Sequence, residues 1–276
     1  MLAANLKWLF DEWPLVERFA AAAAAGFHAV ELSLPYELSI AHLKVLLERH
    51  DQRFVYLLAA PGNWDGGERG LGAIPGREAE FRAGVRAAIA YARALGKPLI
   101  HVAAGRRPAG ADIDACAAVL LANLRWASAE AARDDLRLVI EPVCRQDYPD
   151  YMLNTVAEAL ALIESVGAAN LGIVLDVHHV QREAGSLDAA PLHAALAAAL
   201  PRLWHVQLAF APDRRGPEAA SFDIHATLAH ARGIGYRGVF SCEYRPGSGG
   251  TLASLGWAER YGIRAEAMPS SSQEIA

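Results

Sequence analysis

The sequence predicts a single α/β domain of the (β/α)8 class, the TIM barrel, and three observations predict it. Short apolar runs alternate with longer segments of helical period along the chain, and there are eight of each. Polar residues stand at the ends of the last four runs, spaced by about one βα unit. In order, the run Leu2–Leu6 leads to a helical pattern over Leu15–Ala25, Ala29–Leu34 to Ile40–His50, Arg53–Ala59 to Arg77–Leu95, and Leu99–Ala103 to Ile113–Ala132. The second half continues with Leu136–Val143 and Val156–Val166, Leu171–Val177 and Ala190–Ala199, Leu203–Ala209 and Asp223–Ala231, and Gly238–Tyr244 and Leu252–Tyr261. Each helical segment is apolar at intervals of three and four residues.

Punctuation agrees with this division. Gly26, Gly96 and Gly167 follow helical patterns, where a left-handed closing residue is wanted, and Asn154-Thr155 offers an N-cap before Val156. An open doubly wound sheet would use fewer strands and a glycine-rich turn after the first, yet here the first run continues as Lys7-Trp8-Leu9-Phe10. No linker or longer repeat divides the chain. The expected domain spans residues 1–262, and residues 263–276, ending in the polar run from Pro269, form an expected disordered tail.

A net charge of −5 with no basic run gives nucleic acid no electrostatic footprint. The apolar stretch around Phe19 to Phe27 is about half the length of a spanning helix and mostly alanine, so no membrane segment is expected. The N-terminus has no cleavage-site pattern behind an apolar stretch, and Cys116, Cys144 and Cys242 are scattered with no metal-ligand spacing. Both features fit a cytoplasmic protein. Cys116 reads as a core residue, while Cys144 and Cys242 read as neighbours of a site.

In barrels of this class the loops after the strand ends build the site. Glu141 follows Leu138-Val139-Ile140, Asp176 follows Ile173-Val174-Leu175, Gln207 follows His205-Val206, and Glu243 follows Phe240-Ser241-Cys242. Separations of 35, 31 and 36 residues put the four at one height on the fifth to eighth strands. Three carboxylates gathered together require a cation or shared protons, and three carboxylates with an amide are an oxygen-only set suited to Mg²⁺ or Mn²⁺. His179, three residues beyond Asp176, reaches toward the same mouth, and His101 at the end of the fourth strand has a weaker claim. Arg214, Arg215 and Arg77 lie in loops where a guanidinium would meet an anionic substrate.

These residues lie in segments that resemble the hydroxypyruvate isomerases and the closely similar 2-oxo-tetronate isomerases of the xylose-isomerase-like barrels. The resemblance runs from residue 3 to about residue 260: ERFAAAAAAGFHAVE ending at Glu31, AAPGNWDGGERGLGAIPGRE from Ala59, HVAAG from His101, IEP from Ile140, YMLNT from Tyr151, DVHHVQ from Asp176, HVQLA from His205 and CEYRP from Cys242. The long PGNW to PGRE stretch is particular to these isomerases, whereas the Asp-x-x-His and Gln positions are shared more widely. The resemblance implies that Glu141 and Glu243 transfer protons; that Glu141, Asp176, Gln207 and Glu243 surround a divalent metal; and that His179 and Arg214 hold substrate oxygens. It implies an aldose–ketose type isomerisation of a small anionic sugar acid, either hydroxypyruvate to tartronate semialdehyde or a related 2-oxo acid. Two glutamates alternating as base and acid suit a cis-enediolate, and a metal stabilises its charge. Barrels of this kind often associate, so a homo-oligomer is expected.

The chain departs from the family in the loops. After Glu141-Pro142 the family continues with an Asn-Thr-Arg-Asp run, whereas this chain has Val143-Cys144-Arg145-Gln146-Asp147. The family's Arg-His-Glu-Pro and Gly-Glu become Arg214-Arg215-Gly216-Pro217 and Ala220-Ser221; Phe210 replaces a glycine, and Arg245 stands where lysine is common. These changes bear on substrate more than on reaction class. The rivals are a ketose 3-epimerase, which usually has histidine at the position of Gln207, and a non-catalytic sugar-acid binding barrel. A phosphodiesterase like endonuclease IV would need more histidine ligands and a basic face.

Overall fold

The computed structural model describes residues 1–217 and 223–264. Nine parallel strand segments run β1 (Leu2–Asn5), β2 (Ala29–Glu31), β3 (Arg53–Phe54), β4 (Tyr56–Leu58), β5 (Leu99–His101), β6 (Leu138–Ile140), β7 (Leu171–Asp176), β8 (Leu203–Leu208) and β9 (Val239–Cys242). Their order is β3-β2-β1-β9-β8-β7-β6-β5-β4. β3 and β4 are two halves of one stave. At Val55, between them, the N–H donates to Val30 O at 3.0 Å, and further on the Leu58 N–H donates to Ser33 O at 2.8 Å. β3 pairs with β2 and β4 with β5, so the split stave closes eight staves into a barrel.

Strand alternation builds the interior in two layers. Ala3, Ala29, Leu99, Val139 and Val174 point inward and form an apolar floor with Val55 and Tyr56. Two residues further along the same strands come Asn5, Glu31, His101, Glu141 and Asp176, so the period of two that seals the floor also lifts a polar layer above it. The outward residues, such as Leu2, Ala4, Ile100 and Ile140, join the larger core against the helices.

The helices are α1 (Leu15–Ala24), α2 (Ile40–Arg49), α3 (Glu78–Ala94), α4 (Ile113–Ala132), α5 (Val156–Val166), α6 (Val177–Ala184), α7 (Ala189–Ala199), α8 (Ile224–Gly233) and α9 (Gly250–Ala253). The expected caps form: Thr155 and Glu158 make a capping box, and Gly167 closes α5 at φ 74°.

Three expectations need correction. α6 stands between the expected strand at Leu171–Val177 and the expected helix at Ala190–Ala199; Asp176 ends β7 and caps α6 at once, accepting from the His178 N–H at 2.9 Å. The last helical pattern is only a four-residue α9 followed by a 3-10 helix over Gly256–Tyr261. The strands are shorter than their apolar runs, which continue as buried loop residues above the barrel, such as Ala103, Ala104 and Val143. Ile263 is buried and the Arg264 N–H donates to Ala25 O at 2.9 Å. Residues 265–276, most of the expected tail, lie outside the described residues, as do Ala220 and Ser221. Among the described residues no helix is long and apolar enough to cross a membrane.

Candidate active site

The polar layer is organised around Glu31, whose side chain has no exposure to solvent. Its Oε1 accepts from Asn5 Nδ2 at 2.7 Å and from Gln207 Nε2 at 3.0 Å, and its Oε2 meets His205 Nε2 at 2.6 Å. Asn5 Nδ2 also donates to Glu243 Oε1 at 3.1 Å, which ties this layer to the mouth. The Tyr56 ring stacks on His205, and its hydroxyl meets His101 Nδ1 at 2.6 Å. His101 Nδ1 lies 3.8 Å from Glu141 Oε2. Because Gln207 commits its amide nitrogen to Glu31, its carbonyl oxygen is the atom not used in this contact.

Above this layer Glu141, Asp176, Glu243, His179 and Arg214 converge. Arg214 Nη2 donates to Asp176 Oδ2 at 2.6 Å and contacts His179 Nε2 at 3.0 Å, while Nη1 lies 3.6 Å from Glu243 Oε2. His179 Nε2 is 3.7 Å from Glu141 Oε1 and 3.8 Å from Asp176 Oδ2. The register refines the expected common height. Asp176 pairs with Gln207, but Ile140 pairs with Ile173, which sets Glu141 beside Val174, and Leu208 pairs with Cys242, one residue before Glu243. Strand tilt staggers the four without separating them.

Burial governs the charges. It pushes the Glu141 carboxyl well above the usual range, with Asp176 and Glu243 adding repulsion. Burial, then Asp176 and Glu31, hold Glu243 up at about 8 despite the pull of Arg214 and Lys7. Asp176 goes the other way: burial raises it, but Arg214, His179 and His178 outweigh that and leave it lowered. Burial holds His179 and His101 down at about 3, so both rings are neutral. Arg214 is partly buried, and although desolvation lowers its pKa, Asp176, Glu243 and Glu141 push it up and fix its charge. Its backbone is left-handed, with φ 58°, a conformation that costs a non-glycine residue about 1–3 kcal/mol and that recurs where a side chain must be aimed.

The model of the xylose isomerase-like TIM barrel family matches residues 19–261. The 2-oxo-tetronate isomerase of Cupriavidus necator is 40% identical over 94% of this chain and 97% of its own length. The hydroxypyruvate isomerase of Escherichia coli is 38% identical over 94% and 98% respectively. The chain belongs to this isomerase family. A crystal structure from Brucella melitensis, described as a family 2 AP endonuclease, is 35% identical with a TM-score of 0.87, covering 94% of this chain and 98% of that one.

Within the isomerase family fold, the mouth of this chain is a cavity of about 130 Å³ whose walls include Glu141, Gln207, Glu243, His101, His179 and Arg214. Glu141, Asp176 and His179 each offer a ligand atom within 4.8 Å of the others, a group able to hold a metal ion. Arg77 is not at the mouth. It caps α3 from outside, ion-paired with Glu68 and Glu80, and Arg69 from the same loop lines the cavity instead. Arg215 faces the wider outer vestibule, of about 1150 Å³, together with Arg245.

The first half of the barrel supplies residues that sequence reasoning missed. Lys7 lies over the Trp64 ring at 4.6 Å and over Trp8 at 5.3 Å; Arg69 lies over Trp64 at 4.3 Å and over Tyr148 at 5.4 Å; Arg245 lies 5.1 Å from Trp8. This is an alternating ladder of cations and rings across the mouth. Gly70 lets the loop carrying Trp64 and Arg69 close down, since at φ 127° a Cβ there would meet Ala103 O at 2.6 Å. Glu31 could have been found by the signal that found Glu141, an acid closing an apolar run. The ladder left no such signal. Beside His179, Cys144 is also buried, and burial pushes its thiol up to about 11.

Proposed function

We propose that the chain interconverts a short 2-oxo hydroxy acid and its aldehyde isomer through a cis-enediolate, with Glu141 and Glu243 moving the proton. The observation that carries this reading is the pair itself: two carboxyls, each with only 12% of its side chain exposed, on staves separated by β7 and β8, both raised, linked across one cavity by His179 and Arg214. Burial and mutual repulsion favour the protonated form of both carboxyls even with Arg214 beside them, which suits groups that alternate as acid and base.

Glu141 and Asp176 bring ligand atoms within 4.8 Å of each other and of His179, and Glu243 stands outside that group. With Gln207 and Glu243 drawn in, the four would hold a divalent ion through oxygen, which favours Mg²⁺ or Mn²⁺ over softer ions. Such an ion would stabilise developing enediolate charge by several kcal/mol. The remaining work belongs to the side chains. One glutamate takes the proton from the carbon next to the carbonyl, and the other returns a proton to the neighbouring carbon. Arg214, fixed in charge and aimed by its backbone, neutralises the substrate carboxylate. Neutral His179 orients a substrate oxygen through Nε2, and Asn5 and Glu31 hold Glu243 and Gln207 in place. The cationic ladder closes over the substrate and draws anions to the mouth.

A panel of hydroxypyruvate, four-carbon 2-oxo hydroxy acids and ketoses, incubated in deuterium oxide with and without Mn²⁺, tests the reading. Metal-dependent appearance of the aldehyde isomer with deuterium at the adjacent carbon supports it. Inversion of a ketose at C3 instead identifies an epimerase, and binding without exchange identifies a sugar-acid binder.

A further inference from the structure

Behind His179, on the side away from Glu141, a second group of ligands gathers that the isomerisation does not use. Cys144 Sγ lies 3.2 Å from His179 Nδ1, and Asp147 Oδ2 lies 2.9 Å from His178 Nε2 and 3.8 Å from His179 Nδ1. The four residues each present one ligand atom, all within 4.8 Å of one another. A tetrahedral zinc site with bonds of about 2.0–2.3 Å separates its ligand atoms by roughly 3.3–3.6 Å. The separations of 2.9, 3.2 and 3.8 Å bracket that range.

The surroundings are those of a site rather than of a chance cluster. Cys144, His178 and His179 are buried, while Asp147 and His178 line the outer vestibule, which gives an ion a path in. Asp147 Oδ1 is held by Arg182, at 3.3 Å from Nε and 3.1 Å from Nη2, which orients the carboxylate and leaves Oδ2 turned to the cluster. The sulfur comes from Cys144, in the Val143 to Asp147 stretch where this chain departs from its family. One thiolate, two imidazoles and a carboxylate make a softer set than the oxygen ring at the mouth, so the two places select different ions.

We propose that Cys144, Asp147, His178 and His179 form a second metal site, taking zinc or another thiolate-seeking divalent ion, back to back with the isomerase centre through the His179 ring. A metal on Nδ1 leaves the proton on Nε2, so Arg214 Nη2, a donor 3.0 Å from that nitrogen, would turn away and leave the Nε2 proton to the cavity. The second site therefore sets the tautomer of a residue in the first.

Cobalt(II) is the probe, added to the full chain with Mn²⁺ already present. One equivalent of Co²⁺ is expected to give a thiolate-to-cobalt charge-transfer band with the intense visible bands of tetrahedral cobalt, and Zn²⁺ is expected to displace it. Cys144→Ser should abolish the charge-transfer band, Asp147→Asn should weaken Co²⁺ binding at least tenfold, and Glu243→Gln should leave the band in place. The last variant separates this site from the proposed isomerase centre, so the two readings fail independently. No thiolate band in the native protein, or a band that survives in Cys144→Ser, overturns the proposal. If Cys144→Ser does not fold by circular dichroism, Asp147→Asn decides, and unchanged Co²⁺ affinity in that folded variant overturns it as well.

Discussion

The two halves of the barrel serve the candidate site in different ways. β6 to β9 present Glu141, Asp176, Gln207 and Glu243 directly from strand ends or the residue just beyond, each held by its own stave. β1 to β5 contribute Glu31 and Asn5 beneath the ring, and through their loops the stacked Lys7, Trp64 and Arg69 above it. The second half therefore carries the groups proposed to react, and the first half lies beneath and above them.

That comparison can be broken or sharpened experimentally. Glu31→Ala should have the largest effect on stability, about 3–5 kcal/mol, because Asn5, Gln207 and His205 would lose their shared partner inside the barrel. A thermal melt that hardly moves would show that the first half does not support the ring. Asp176→Asn should lower Mn²⁺ affinity by tenfold or more, at least about 1.4 kcal/mol, in isothermal titration. The same titration has a pH signature. Glu243, held at about 8, keeps its proton at neutral pH and must give it up to act as a ligand, so uptake releases protons and affinity rises as pH climbs toward 8. Uptake that releases no proton at pH 7 would remove Glu243 from the ligand set. Trp64→Ala should raise KM about fivefold to thirtyfold with little change in kcat, since it removes two cation–π contacts of about 0.5–1 kcal/mol each. A fall in kcat instead would move the ladder into the chemistry. Arg77→Ala should cost under about 1 kcal/mol in a melt and leave KM unchanged, because its partners Glu68 and Glu80 are solvent-accessible.

The second half was the legible half. A carboxylate after three apolar residues, repeated once per βα unit, is a local signal, and strand alternation turns it into an inward side chain. Glu31 carries the same local signal, but its meaning comes from Gln207 and His205, well over a hundred residues away, and no spacing rule joins them. α6 was hidden because Asp176 is both a strand end and a helix cap, so the apolar run gave no boundary. Its appearance places His178 and Arg182 one turn apart on Asp147, an arrangement that a loop would not give. Arg77 was assigned by its loop alone; whether a long cationic side chain turns to the mouth or to nearby acids depends on Glu68 and Glu80, which only the fold brings to it.

The central claim is that Glu141 and Glu243 move the proton. Its most direct test is solvent-deuterium exchange into substrate, measured by NMR for the native protein, Glu141→Gln and Glu243→Gln, with substrate binding measured in parallel. The account predicts a loss of exchange of about 10²–10⁴-fold in Glu243→Gln with binding kept within about tenfold, and a comparable loss in Glu141→Gln. Exchange at the native rate in either variant would contradict it.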